Sequence, residues 1–245
     1  MTVVFVHGVP ETAAIWRKVQ DRIGRESVAV GLPGFGCPRP DGFGATKDDY
    51  VAWLVGELDA IGEPVDLVGH DWGAALTQRI ALAHADRLRS WVTDCGSLAH
   101  PDYVWHAFAQ IWQTPGDGEQ YMRDQEEQPA DARAAGLAGI FNLAEADALE
   151  MASAQDRTMD DCILDLYRSA LPNPHADWGP MAPSPAPGLV VHPSNDMFSI
   201  EPLARGVATA FGAGFEVLES TNHFWPYENP DGAAELLTRF WKGLG

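Results

Sequence analysis

The sequence predicts an α/β protein: a mostly parallel sheet flanked by helices and interrupted by an all-helical insertion. Three observations carry that prediction. Short apolar runs near residues 2–6, 27–30, 65–68, 90–93, 188–191 and 214–218 alternate with stretches of helical periodicity, the pattern of strand–helix–strand units. From about residue 97 to 186 the alternation stops, and helical stretches follow one another without a convincing strand. With 245 residues, 46% of them apolar, the chain buries a substantial core as one domain carrying one inserted subdomain. Residues 1–96 and 187–245 are therefore expected to form the sheet-bearing core, and residues 97–186 a cap.

The elements follow in order. Thr2-Val-Val-Phe-Val6 is a β-branched run suited to a buried strand. A helix is expected over 13–23 and a second strand over 27–30. Thr46, three residues ahead of Asp49, has the spacing of a helix N-cap, so the next helix covers 48–61 and stops at Gly62. Val65, Leu67 and Val68 lead into Gly69-His-Asp-Trp-Gly73, and a helix over 74–84 follows at once. A strand over 90–93 closes the first half. The insertion holds helical stretches near 102–114, 118–128, 130–140, 144–155 and 159–170. Met181-Ala-Pro-Ser-Pro-Ala-Pro-Gly188 then leads back to the strand over 188–191. After the strand over 214–218, Asn229-Pro230 opens a last helix to about 241, with Asn as N-cap and Pro at the first helical position.

The formal net charge is −19, from 35 acidic and 16 basic side chains. Such a surface repels nucleic acid and anionic membrane, so neither is expected as a partner. No run approaches membrane-spanning length, and no basic, apolar leader precedes the first strand. Three widely spaced cysteines (Cys37, Cys95, Cys162) show no metal-ligand pattern and read as reduced thiols, so a cytoplasmic protein is expected, with no metal. A homodimer is compatible with the sequence but leaves no mark in it.

Chemistry concentrates at Gly69-His-Asp-Trp-Gly73. A G-x-nucleophile-x-G turn between strand and helix is a nucleophile elbow, whose glycines let strand and helix approach closely. Here the central residue is Asp71, where serine is the commoner choice. An aspartate carboxyl ordinarily titrates at about 3.9, so it is ionised at neutral pH and needs no base to activate it. Its attack on an acyl carbon gives a reactive anhydride, whereas attack on an alkyl carbon gives an ordinary ester. Displacement at carbon is the chemistry this residue suits.

With the aspartate elbow, the insertion after the fourth strand and the sheet resuming beyond it, nearly the whole chain resembles the α/β-hydrolase superfamily, within it the epoxide hydrolase and haloalkane dehalogenase branch. That fold's usual first two strands are missing, which puts an unusual sheet edge near the N-terminus. His7-Gly-Val-Pro10 resembles the H-G-x-P motif, implying that the N–H groups of Val9 and Trp72 form an oxyanion hole and that His7 shapes the loop. Asp196, in His192-Pro-Ser-Asn-Asp-Met197, falls where the family carries its acid, and His223, in Ser220-Thr-Asn-His-Phe-Trp225, where it carries its base. His192 is a nearby competitor for the base, after the wrong strand. The order nucleophile, acid, histidine is that of the superfamily.

Asp165-Leu-Tyr-Arg-Ser169 resembles the cap motif ending in Tyr-Arg, which makes Tyr167 a donor to the leaving oxygen. Val104-Trp-His-Ala-Phe-Ala-Gln110, expected in the first cap helix, places His106 at the second donor position, with Tyr103 and Tyr121 as alternatives. Trp105, Trp112 and Trp225 are expected to line an apolar pocket for a small or medium hydrophobic substrate. The resemblance implies an epoxide hydrolase without a cofactor, forming an alkyl ester on Asp71 and hydrolysing it to a vicinal diol. The alternatives are a haloalkane dehalogenase, with Trp72 and Trp105 or Trp112 around the halide, and a non-catalytic binding protein. A carboxylate held beside the nucleophile is disfavoured, because the arginines that would hold it there are replaced by Trp72 and Ala74–Ala75.

Overall fold

The computed structural model describes residues 1–245. Six strands, β1 (Val3–Val6), β2 (Ser27–Val30), β3 (Val65–Gly69), β4 (Leu88–Thr93), β5 (Gly188–Pro193) and β6 (Gly214–Leu218), form one sheet in the order β2-β1-β3-β4-β5-β6. Every pairing is parallel, so all six carboxyl ends point the same way. The central strands β1, β3 and β5 are buried along their whole length, as both faces of a parallel sheet require.

Strand residues alternate between two apolar layers. Val4, Val6, Leu67, Trp91 and Val190 face one layer, packed by α2 (Lys47–Ile61), α3 (Trp72–Ala83) and, later in the chain, α9 (Glu201–Phe211). Val3, Phe5, Val68, Val92 and Val191 face the other, with α1 (Arg17–Ile23) and α11 (Pro230–Gly243). Local signals act as expected at several ends. Thr46 and Asp49 form a reciprocal capping box, Gly62 ends α2 in the left-handed region (φ 77°), and Asn229 caps α11.

Between β4 and β5 the chain is helical: α4 (Ala107–Gln113), α5 (Asp117–Glu126), α6 (Ala130–Phe141), α7 (Glu145–Ala154) and α8 (Arg157–Arg168). Their apolar sides join both core layers, α8 one and α6–α7 the other, and α4, α5, α6 and α8 line one cavity with residues that follow the carboxyl ends of β1, β3 and β6. The return stretch is held from below. Buried Lys47 pairs with Asp177 at 2.6 Å and lies over the Trp178 ring, while Arg79 donates to the Trp178 carbonyl.

The elements depart from expectation at three points. The first cap helix begins at Ala107, not 102, because the His106 side chain accepts the Ala109 N–H and caps it. Helix α9 was not anticipated. Pro202 sits in its first turn, where proline is tolerated. Ala204, Val207, Ala208 and Phe211 form its buried stripe. The short α10 (Trp225–Glu228), after β6, was likewise unforeseen.

Candidate active site

The carboxyl ends of β1, β3, β4, β5 and β6 bring the candidate residues together. Asp71 occupies the elbow at φ 50°, ψ −117°, a backbone region costing about 1–3 kcal/mol in a non-glycine residue. Tight packing holds it there. A Cβ on Gly69 would stand 2.2 Å from the Gly73 carbonyl oxygen, and one on Gly73 2.3 Å from that of Val6. A Cβ on Gly8 would stand 2.3 Å from the Asp71 Cβ, so Gly8 lets the H-G-x-P loop lie against the nucleophile.

That contact orients the carboxylate. The Val9 N–H donates to Asp71 Oδ1 at 2.9 Å, while Oδ2 lies 3.8 Å from His223 Nε2. Trp72 opens α3, so its N–H is one of the helix-start donors without an intrahelical acceptor. On its far side His223 Nδ1 lies 3.1 Å from Asp196 Oδ2, and Asp196 Oδ1 accepts the Phe198 N–H at 2.8 Å. His192 instead pairs with Ser199 at 3.2 Å. His7 accepts the Leu32 N–H on Nε2 and binds the Gly8 carbonyl through Nδ1, which fixes the loop.

Burial sets the ionisation. It pushes the Asp71 carboxyl up to about 6, against the pull of His223, so the nucleophile is less acidic than its residue type alone suggests. For His223, burial opposes the charge but Asp196 outweighs it, and the imidazole titrates above its ordinary value. Asp196 moves the other way, held low by His223 in spite of burial.

Beneath the nucleophile lies a charged chain that the motifs did not reveal. Asp94 accepts the Asp71 N–H on Oδ1 at 3.0 Å, and its Oδ2 bonds His70 Nδ1 and the Trp225 indole N–H. His70 Nε2 lies 2.9 Å from Glu11, whose other oxygen accepts the Gly8 N–H. Burial opposes a charge on His70, but Asp94 and Glu11 hold it well above its ordinary value. The sequence does carry a signal for them. Glu11, His70 and Asp94 each follow the carboxyl end of a strand, where an open parallel sheet gathers its chemistry.

Two trios, Glu11–His70–His223 and Cys95–Asp196–His223, have donor atoms within 4.8 Å of one another, close enough to share a metal ion. Their charges already complement one another: His70 pairs with Glu11 and Asp94, and His223 with Asp196.

Above the site is a cavity of about 290 Å³, lined among others by Val9, Asp71, His106, Trp112, Tyr167 and His223. Tyr167 is buried (2% exposed), edge-on to Trp72 and Trp112 at ring distances of 5.3 and 4.8 Å. Burial first, then the nearby Asp71, raises its phenol well above the ordinary range, so it remains a proton donor. His106 also faces the cavity. Burial lowers its imidazole to about 4, and since Nδ1 accepts the Ala109 N–H, the neutral ring carries its proton on Nε2.

Trp105 and Trp225 do not line the cavity, contrary to expectation. The Trp105 indole donates to the Ala170 carbonyl and its ring stacks on Trp72 at 5.6 Å, while Trp225 is committed to Asp94 beneath the site. Trp72 also lies below the lining, with its indole nitrogen buried and unpartnered. Of the alternatives to His106, Tyr121 reaches the cavity, whereas Tyr103 is buried against Trp105 outside the lining. The apolar walls include Phe108, which lies in the stretch around His106, and Leu137, Phe141 and Phe198, which carried no motif.

Comparison with known proteins gives three concordant findings. The profile of the Alpha/beta hydrolase family matches residues 3–236. An epoxide hydrolase of Caballeronia sordidicola is 30% identical over 193 residues (72% of this chain, 55% of the relative), and a haloalkane dehalogenase of Mesorhizobium japonicum is 27% identical over 193 residues (71% and 54%). The matched stretches of curated relatives cover from 30% to 55% of epoxide hydrolases such as those of Siraitia grosvenorii and Caballeronia sordidicola, so the chain spans at most about half of their length. Among solved structures, an epoxide hydrolase from an endophytic Streptomyces superposes with a TM-score of 0.80 at 21% identity, over 99% of this chain and 89% of that one.

Proposed function

The chain belongs to the alpha/beta hydrolase family, and from that premise we propose that it opens epoxides through a covalent ester on Asp71 and hydrolyses the ester to a vicinal diol. One observation carries the reading: across a single cavity, the Asp71 carboxylate faces the hydroxyl-bearing Tyr167 and the N–H of neutral His106. Because Val9 holds Oδ1, the free oxygen Oδ2 is the attacking atom. It bonds one epoxide carbon as the carbon–oxygen bond breaks, and the ring oxygen takes its proton from Tyr167, assisted by His106. His223, oriented by Asp196, then removes a proton from water attacking the Asp71 ester carbonyl. The negative charge gathers on Oδ1, next to the Val9 N–H and the first N–H groups of α3. Collapse releases the diol, whose departing oxygen takes the proton held by His223, and the proton left on the Asp71 carboxyl restores the Tyr167 phenol, so that both groups return to their starting forms. No cofactor enters the scheme.

Displacement of halide is the second reading, favoured by the relative from Mesorhizobium japonicum and by the unpartnered indole N–H groups of Trp72 and Trp112. It is the weaker one, since Trp72 lies below the lining with Tyr167 packed edge-on against its ring. Intact mass of a His223→Gln variant mixed with epoxides and haloalkanes decides between them, because loss of the base stalls the second step. A gain equal to a whole epoxide is expected. A gain equal to an alkyl group without halogen establishes displacement of halide, and no adduct from either set overturns the covalent scheme.

A further inference from the structure

The cavity has two chemically different ends. One holds Asp71, His223, Tyr167 and His106. The other lies where α5 ends, α6 begins and α7 ends, and is lined by Gln125, Gln128, Arg133 and Gln155. Helix α8 gives the separation. Gln155 lies two residues before its first turn, Ile163 and Tyr167 face the cavity one turn apart, and ten residues from Arg157 to Tyr167 rise about 15 Å. Apolar side chains fill the wall between.

Arg133 is out of place by the chain's own pattern. Acidic residues outnumber basic ones 35 to 16, and most arginines sit in ion pairs, as Arg17, Arg25, Arg39, Arg87 and Arg168 do. Arg133 has no carboxylate within pairing distance. One terminal nitrogen donates to the Ala152 carbonyl at 2.8 Å, and its buried Nε has no partner. Asp160, which feels its charge, is bonded to Gln155, and burial raises its carboxyl so that it gives up its proton less readily. An unpaired guanidinium with amides around it at the end of an apolar channel is suited to a carboxylate, which it can grip with two parallel N–H groups.

We propose that this end of the cavity is a carboxylate subsite, and that the natural substrate is an amphiphile with its reacting carbon at Asp71 and its carboxylate at Arg133. The reacting group rests on the reading above; the head-group site does not. Arg133 is the only arginine or lysine lining the cavity, and at the near end the His223 imidazole is already flanked by the carboxyls of Asp71 and Asp196, so a substrate carboxylate is directed to the far end.

Calorimetric titration of dodecanoate and dodecan-1-ol tests this without any epoxide, since a saturated chain of that length extends about as far as the channel. The wild-type protein is expected to bind the carboxylate about tenfold more tightly than the alcohol, the worth of a charge-assisted hydrogen bond. Arg133→Met should abolish that preference while leaving the alcohol unaffected, and Arg133→Lys should retain part of it. Equal affinity of the wild type for both probes overturns the subsite, whatever the variants do. So does equal weakening of both in Arg133→Met. If dodecanoate binds through Arg133 but no compound alkylates Asp71, the epoxide reading fails and the subsite stands.

Discussion

At Asp71 two requirements oppose each other. The nucleophile has to be charged to attack, yet it has to be buried for the cavity to exclude water. The result is a carboxyl at about 6, which stays ionised near pH 7 and is lost as a nucleophile on acidification. In His223→Gln, which loses the charge that holds Asp71 down, alkylation is therefore expected to be level at high pH and to fall about tenfold per unit below a midpoint higher than the wild-type carboxyl's, read from mass or tryptophan fluorescence in rapid mixing. Dependence on the hydroxyl of Tyr167 separates the two leaving groups, because an alkoxide needs a proton and a halide does not. Tyr167→Phe should lower epoxide turnover by about a hundredfold or more while leaving any halide displacement nearly intact. Full epoxide activity in that variant would remove Tyr167 from the reaction.

Among the elements, helix α4 shows how one residue serves two purposes. The same His106 ring caps the helix through Nδ1 and presents Nε2–H to the cavity, so an alanine substitution confounds the two. His106→Asn keeps a good N-cap and removes the ring, whereas His106→Ala loses both, at a stability cost of about 1 kcal/mol. Urea melts should distinguish the variants, and similar losses of epoxide turnover in both would assign the effect to the lost N–H. Most elements were legible for local reasons. The capping box at Thr46–Asp49, the glycines of the elbow and the Asn229-Pro230 start each act within a few residues of themselves. Helix α9 lies outside the expected set, although its buried positions Ala204, Val207, Ala208 and Phe211 repeat with helical spacing. The start of α4 was misplaced because a histidine cap is not among the usual signals.

On the scale of the molecule, a net charge of −19 implies self-repulsion that opposes compactness. Raising ionic strength from about 0.01 M to about 0.15 M shortens the screening length from about 30 Å to about 8 Å and should raise the thermal midpoint, which calorimetry can measure. No helix is long and apolar enough to cross a membrane. The sequence by itself determined the order of the strands and of most helices, the aspartate elbow, and which residues follow the strands' carboxyl ends, because those depend on local patterns and on the polarity of a parallel sheet. Tertiary structure alone decided the rest. It turned Trp105 and Trp225 away from the cavity, brought Glu11, His70 and Asp94 into one buried chain, and left Arg133 unpaired at the cavity's far end. Those outcomes depend on which helix of the insertion packs against which loop of the core, and contacts between residues far apart in the chain leave no periodicity to read.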